Sequence, residues 1–238
     1  MAKLSLGEHT SQQFEQELED IRNKVLTMGG MVEQQVADGL KALIESDGAL
    51  GQTVATSDYK VNQLEVEIDE ACTQIIALRQ PAASDLRIIM AMIKTITDLE
   101  RIGDEAEKLG NFSVELASVD RAPGYFTKLK HLGEQVRESL RGCLDALARQ
   151  DTEQAMRVAM SDQLVNTEFE ALMRQLITFM MEDPRSIKRV LQVMWCARAL
   201  ERIGDHTKNV CEYIIFMVKG KDIRHISLNE VEQVISSS

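Results

Sequence analysis

Glu100-Arg101-Ile102-Gly103-Asp104 recurs unchanged as Glu201-Arg202-Ile203-Gly204-Asp205, 101 residues further along a chain of 238 residues. Self-similarity at a long fixed period marks a duplicated structural unit, and the surroundings repeat as well. A proline break precedes each copy, Pro81 in one case and Pro184 in the other. Further upstream, Asp58-Tyr59-Lys60-Val61-Asn62 parallels Asp162-Gln163-Leu164-Val165-Asn166. The third proline lies in Val119-Asp120-Arg121-Ala122-Pro123-Gly124, near the middle of the chain, and separates the two units. Apolar periodicity between these breaks predicts six helices, at 10–46, 48–79, 84–118, 124–149, 151–181 and 185–219. Start signals agree with several of them: Thr10 for the first, Ser84 with Asp85 for the third, and Asp151 with Gln154 for the fifth. Rods of about 30 residues are about 45 Å long and bury an apolar stripe only by lying lengthwise against one another. The expected architecture is all-α, two tandem and similar three-helix bundles over residues 10–119 and 124–219. A C-terminal tail, 220–238, follows, with a short helix expected around Ser227–Ile235, and residues before Thr10 are expected to be loose.

Composition agrees. Aromatics are only 4 % and prolines only three, which argues against a turn-rich β-sandwich and for long helices. The formal net charge of −11 disfavours a nucleic-acid backbone or an anionic lipid surface as direct partner. The four cysteines, Cys72, Cys143, Cys196 and Cys211, form no C-x-x-C pair and lie in apolar helical stretches, so buried free thiols are expected rather than a zinc site. No signal-peptide core precedes the first helix, and runs such as 88–93 and 213–218 are too short to span a bilayer. A cytoplasmic location is the resulting expectation.

Acidic pairs spaced i, i+4 are common on solvated helix faces and mean little alone. Here their placement matters. On a helical wheel Glu100 and Asp104 continue the stripe Leu86, Ile89, Ile93, Ile96, whereas Lys94, Arg101 and Glu105 mark the face read as wet. The second unit repeats the pattern, with Ile187, Val190, Met194 and Ala197 leading into Glu201 and Asp205. Asp58, Asn62, Glu65 and Asp69 share a face of the preceding helix; in the second unit Asp162 and Asn166 do so, but Phe169 and Met173 replace the later acids. Two unscreened carboxylates about 5 Å apart repel by roughly 3 kcal/mol at an effective dielectric of about 20. Relief comes from protonation, from a basic partner such as Arg101 or Arg202, or from a divalent cation. Asp, Glu and Asn offer only oxygen, so the cation reading calls for magnesium, manganese, iron or calcium ahead of zinc.

The duplicated Glu-Arg-Ile-Gly-Asp, the segment Leu78-Arg79-Gln80-Pro81-Ala82-Ala83-Ser84-Asp85-Leu86-Arg87 and the early Met28-Gly29-Gly30-Met31-Val32-Glu33 together resemble the PhoU family of bacterial phosphate-signalling regulators, from about Phe14 to Val218. The resemblance implies two similar three-helix bundles with repeated acidic motifs that bind metal ions. The matching positions are Asp58, Glu100 and Asp104 in the first unit and Asp162, Glu201 and Asp205 in the second. Asn62 and Asn166 stand where the family pattern has second acids, and an amide oxygen ligates a hard cation without adding charge. The implied function is negative regulation of the phosphate-starvation response. In that role the protein is an adaptor between the ATPase subunit (PstB-like) of the phosphate ABC transporter and a sensor histidine kinase (PhoR-like), and it also modulates phosphate uptake. The resemblance also suggests partner contact at Arg79, Asp85 and Arg87, for which helix capping at a loop is the competing explanation.

Other classes fare less well. A carboxylate-bridged di-metal helical-bundle enzyme needs Glu-x-x-His on two helices, and none of His9, His131, His206 and His225 has a Glu three residues before it. Phosphotransfer through His206, read as lying toward the wet side, is unsupported because the first unit has Glu105 at that position. No nucleophile–base pair, phosphate loop or dinucleotide motif is present. A non-enzymatic adaptor that forms a homodimer is the expectation.

Overall fold

The computed structural model describes residues 6–118 and 123–223, with side chains described for 12–118 and 126–223. All described regular structure is helical: α1 (Leu6–Glu45), α2 (Gly48–Ala55), α3 (Tyr59–Arg79), α4 (Ala83–Leu116), α5 (Pro123–Arg149), α6 (Thr152–Glu182), a 3₁₀ turn at Pro184–Ser186, and α7 (Ile187–Lys219). Helices α1 to α4 pack together, α5 to α7 pack together, and the two groups meet along α4 against α7 and α1 against α5. The four cysteines are buried and free, as expected. The expected tail helix at 227–235 lies outside the described residues, and so do residues 119–122 of the central loop.

Three expected boundaries are corrected. The helix read as 48–79 is two helices, broken at Thr56–Asp58. Periodicity missed the break because apolar positions continue across it. Beside the break, α2 and α4 touch backbone to backbone. A β-carbon at Gly110 would stand 2.8 Å from Gly51 O and 2.9 Å from Ala55 N, and one at Gly51 would overlap Ser113 Oγ. In the second repeat the equivalent positions are the larger Ala155 and Cys211, both buried, and α6 runs unbroken. Second, α4 begins at Ala83 behind extended Ala82 with no side-chain cap, so Ser84 is not the capping residue and Asp85 lies in the first turn. Third, α1 is already helical from Leu6, so Thr10 does not start it.

The duplication is visible in three dimensions. Asp47 Oδ1 accepts from Leu50 N at 2.9 Å, and Asp151 Oδ1 accepts from Gln154 N at 2.9 Å, each satisfying a free N–H at a helix start. The residues just before them adopt positive φ, 60° at Ser46 and 55° at Gln150. A β-carbon at Gly29 would strike the side chain of Leu144, and one at Gly133 that of Leu40, so α1 and α5 cross through reciprocal glycine–leucine contacts. Arg87 with Met217, Asp98 with His206, Glu105 with Arg202, and Glu115 with Gln192 pair α4 and α7 in antiparallel order.

Part of the α4 face read as wet is that seam, while Arg101 on the same face is exposed, as expected. Glu105 is only 3 % exposed and pairs with Arg202 Nε at 2.8 Å and Lys108 Nζ at 2.9 Å. Lys94 Nζ lies 5.6 Å from the ring centroids of both Tyr213 and Phe216. His206, also read as facing water, has its Nδ1 2.6 Å from Oδ1 of buried Asp98, which Asn209 Nδ2 reaches at 3.1 Å. Hydropathy misread Glu105 and His206 because their polar partners, Arg202 and Asp98, come from the other repeat, about a hundred positions away.

Candidate metal centre

The break before α3 sets Asp58 at the helix start with its carboxylate turned inward, 4 % exposed and making no cap hydrogen bond. It faces the part of α4 that carries Gly103, Asp104 and Glu107. Ligand oxygens of Asp58, Asp104 and Glu107 all lie within 4.8 Å of one another. Gly103 makes this approach possible. A β-carbon there would be 2.7 Å from Asp58 Oδ1 and 3.4 Å from Gln35 Oε1. Both oxygens are buried and accept no hydrogen bond. An orphaned carboxylate oxygen and an orphaned amide oxygen beside two further acids form an incomplete electrostatic arrangement.

Acidity records the crowding. Burial, then the Asp104 carboxylate, holds the Asp58 carboxyl above its ordinary range. Burial and Asp69 do the same to Glu65, and burial and Asp104 to Glu100. Such a set suits a hard, oxygen-preferring cation, which would let neighbouring carboxylates remain ionised together. Asp58, Asp104 and Glu107 are the residues placed to hold it, with Gln35 Oε1 a further oxygen beside them.

The predicted set is thus partly redistributed. Asp58 and Asp104 come together. Glu100, half-buried, lies one turn away and outside the three-residue group. Asn62 is exposed and acts on Asp58 as a hydrogen-bond partner that favours its charged form. Glu107 was missed, although Glu100, Asp104 and Glu107 recur at steps of four and three on one helix face.

The second repeat differs. Asp162 and Glu201 are buried and Asp205 is exposed. Asn166 Nδ2 donates to Asp162 Oδ2 at 3.1 Å, so this amide acts as donor where an oxygen ligand was expected. Lys208 Nζ lies 3.5 Å from the same Asp162 oxygen, and Arg198 Nη1 lies 2.8 Å from Glu201 Oε1. Arg202 pairs with Glu105 across the seam. Burial, then Asp205, raises the Glu201 carboxyl.

Arg79 and Arg87 make intramolecular contacts. Arg79 grips Glu17 with Nε at 3.2 Å and Nη2 at 2.7 Å, tying the end of α3 to α1 and pulling the Glu17 carboxyl below its usual range. Arg87 Nε donates to Met217 O at 3.1 Å, and its guanidinium packs on Gly220, the left-handed residue that ends α7. Asp85 is half-buried.

Against known proteins, the PhoU domain model matches residues 25–112 and again 129–214. The chain belongs to the PhoU family. It is 47 % identical over 236 residues to the phosphate-specific transport system accessory protein PhoU of Escherichia coli strain K12, covering 99 % of this chain and 98 % of that one. The PhoU homologue of Pseudomonas putida is 49 % identical over 229 residues, 96 % of this chain and 90 % of the other. The crystal structure of PhoU from Pseudomonas aeruginosa superposes with a TM-score of 0.85 at 47 % identity, covering 87 % of this chain and all of that one. PhoU from Streptococcus pneumoniae, at 26 % identity, gives 0.82 over 90 % of this chain and all of the other. The two matched stretches correspond to the PhoU duplication read from the repeated pentapeptide. No helix among the described residues is long and apolar enough to cross a membrane.

Proposed function

We propose that this chain is a non-catalytic adaptor that holds the phosphate-starvation response off when phosphate is plentiful. It works in the cytoplasm as a homodimer, between the ATPase subunit of the phosphate ABC transporter and the cytoplasmic part of a sensor histidine kinase. A divalent cation, magnesium, manganese or iron, is held by Asp58, Asp104 and Glu107 and shapes the surface that those partners read. The units are the two bundles bounded at 10–119 and 124–219.

The observation that carries this reading is the convergence of the Asp58, Asp104 and Glu107 carboxylates, one Asp58 oxygen being buried and unpartnered, in a chain of PhoU sequence. The chain's own contribution is positional: Gly103 removes the steric bar to α3, Asp58 is turned inward by the break, and α4 supplies the remaining acids. The relatives' names associate them with the phosphate-specific transport system, which supports the transporter half of the reading.

The test has two arms. Pull-down from purified components should capture the transporter ATPase and the kinase cytoplasmic domain, more strongly with Mn²⁺ than with chelator. Deletion in the source bacterium should release phosphate-regulated expression in phosphate-rich medium. Failure of both partners to associate, with unaltered expression on deletion, overturns the adaptor reading.

A further inference from the structure

We propose that the second repeat carries its own counter-cations, Lys208 and Arg198, in place of a divalent metal, so that metal is held at the first repeat alone. This rests on the metal reading of the first repeat and concerns the corresponding site of the second.

The two repeats align through their own contacts. Gly103 faces Asp58 and Val61; Gly204 faces Asp162 and Val165. That superposition puts Lys208 where the first repeat has Glu107, Arg198 where it has Thr97, and Phe169 where it has Glu65. Each exchange removes negative charge or adds positive charge. The consequences are visible in the contacts. Glu107 converges on Asp58, whereas Lys208 Nζ approaches Asp162 Oδ2 to 3.5 Å. Thr97 is a neutral neighbour of Glu65, whereas Arg198 binds Glu201 at 2.8 Å and lies 6.0 Å from the Phe169 ring centroid. The first repeat gathers five carboxylates, Asp58, Glu65, Glu100, Asp104 and Glu107, with exposed Arg101 as the basic neighbour. The second gathers three, Asp162, Glu201 and Asp205, with two cations in contact.

A hard divalent ion binds carboxylate oxygens at about 2.0–2.6 Å. At Asp162 it would sit beside the Lys208 ammonium, 3.5 Å from Oδ2, so it would meet like-charge repulsion and a carboxylate whose charge is already countered. Donor oxygens remain, since Asp162 Oδ1 and Glu201 Oε2 are buried and unpartnered. The pocket therefore keeps its oxygen donors while its charge requirement is met from within. Removing the internal cation should restore binding, which makes the idea testable by gain of function.

The probe is Mn²⁺ titrated into the purified full chain, read by electron paramagnetic resonance of free Mn²⁺ and by native mass spectrometry. Wild type should show one saturable class, abolished in Asp58→Asn/Asp104→Asn and unchanged in Asp162→Asn/Asp205→Asn. Lys208→Glu should add a second class of sites, at least tenfold tighter than any weak binding left there in wild type. Lys208→Gln, which keeps length without charge, serves as the milder variant should Lys208→Glu fail to fold. Loss of wild-type binding in Asp162→Asn/Asp205→Asn overturns the proposal, as does failure of every folded Lys208 variant to gain sites. A wild type that binds no Mn²⁺, with sites gained in Lys208→Glu, supports this proposal and overturns the metal reading of the first repeat.

Discussion

Gly103 lies directly beneath the Asp58 carboxylate: a β-carbon on it would stand 2.7 Å from Asp58 Oδ1, closer than nonbonded atoms tolerate. The same construction at Gly204 meets Asp162 Oδ1 at 3.5 Å and Val165 Cγ1 at 3.4 Å, which is ordinary contact. Two identical pentapeptides therefore impose different demands. Glycine within a helix costs about 1 kcal/mol relative to alanine. Gly204→Ala should recover roughly 0.5–1 kcal/mol of that, raising the urea midpoint. Gly103→Ala should drive the Asp58 carboxylate off its position and weaken Mn²⁺ binding at the first repeat by about tenfold, roughly 1.4 kcal/mol. Equal effects of the two substitutions on Mn²⁺ affinity would contradict the assignment.

The crowded acids set a pH dependence. Asp58, Glu65 and Glu100 all have carboxyls raised in the folded chain, burial being the first cause in each. A raised folded-state pKa means the native state holds the proton more tightly than the unfolded chain. Its stabilising contribution is complete below the ordinary carboxylate range and is lost as pH climbs through the raised values. Glu17, lowered by Arg79, acts in the opposite sense, adding stability above the ordinary range that is lost as pH falls through its lowered value. Metal-free protein should therefore melt at progressively lower temperature as pH rises from the ordinary carboxylate range toward neutrality. Saturating Mn²⁺ should reverse the trend, because the cation favours the ionised acids. A metal-free melting temperature that climbs across that window would be inconsistent with this account.

The glycine pair at the α2–α4 crossing offers a purely structural test. A methyl at Gly110 meets backbone atoms, Gly51 O at 2.8 Å and Ala55 N at 2.9 Å, and backbone cannot step aside as a side-chain tip can. Overpacking of this kind costs about 1–3 kcal/mol. Gly110→Ala should lower stability in urea unfolding by that amount, against the helix-propensity gain. Because the crossing adjoins the break that positions Asp58, Mn²⁺ binding should weaken too. The variant Gly30→Ala, with nothing within 4 Å of the added carbon, is the control and should be neutral or stabilising.

Architecture was legible because its determinants are local or repeated. The duplicated pentapeptide, the three prolines and the Asp151 cap each act within a few residues, and each reappears in the fold. The break at Thr56–Asp58 was not legible, because it lies beside a close contact of Gly51 with Gly110, about sixty residues away along the chain. The repeat singled out Asp58 and Asp104, which the fold brings together. Glu107 was overlooked for a different reason: its counterpart, Lys208, breaks the symmetry on which the reading leaned. On the polar seam, Glu105 and His206 were misread as wet, since they become interior only when a second helix supplies the opposite charge or hydrogen bond.

That seam makes the last prediction. Asp98 is buried, and its Oδ1 receives His206 Nδ1 at 2.6 Å and Asn209 Nδ2 at 3.1 Å. Deleting one partner leaves a buried carboxylate under-satisfied, whereas deleting both leaves only a packing defect. His206→Ala should cost about 1–3 kcal/mol. Asp98→Ala/His206→Ala should cost less than the sum of the single variants, with a coupling of about 0.5–3 kcal/mol. Urea unfolding of the four members of the cycle measures it. Because the contact joins α4 to α7, the single variant should also speed amide exchange along both helices at the seam. Additive costs in the cycle would mean that His206 and Asp98 are neighbours without an energetic bond between the repeats.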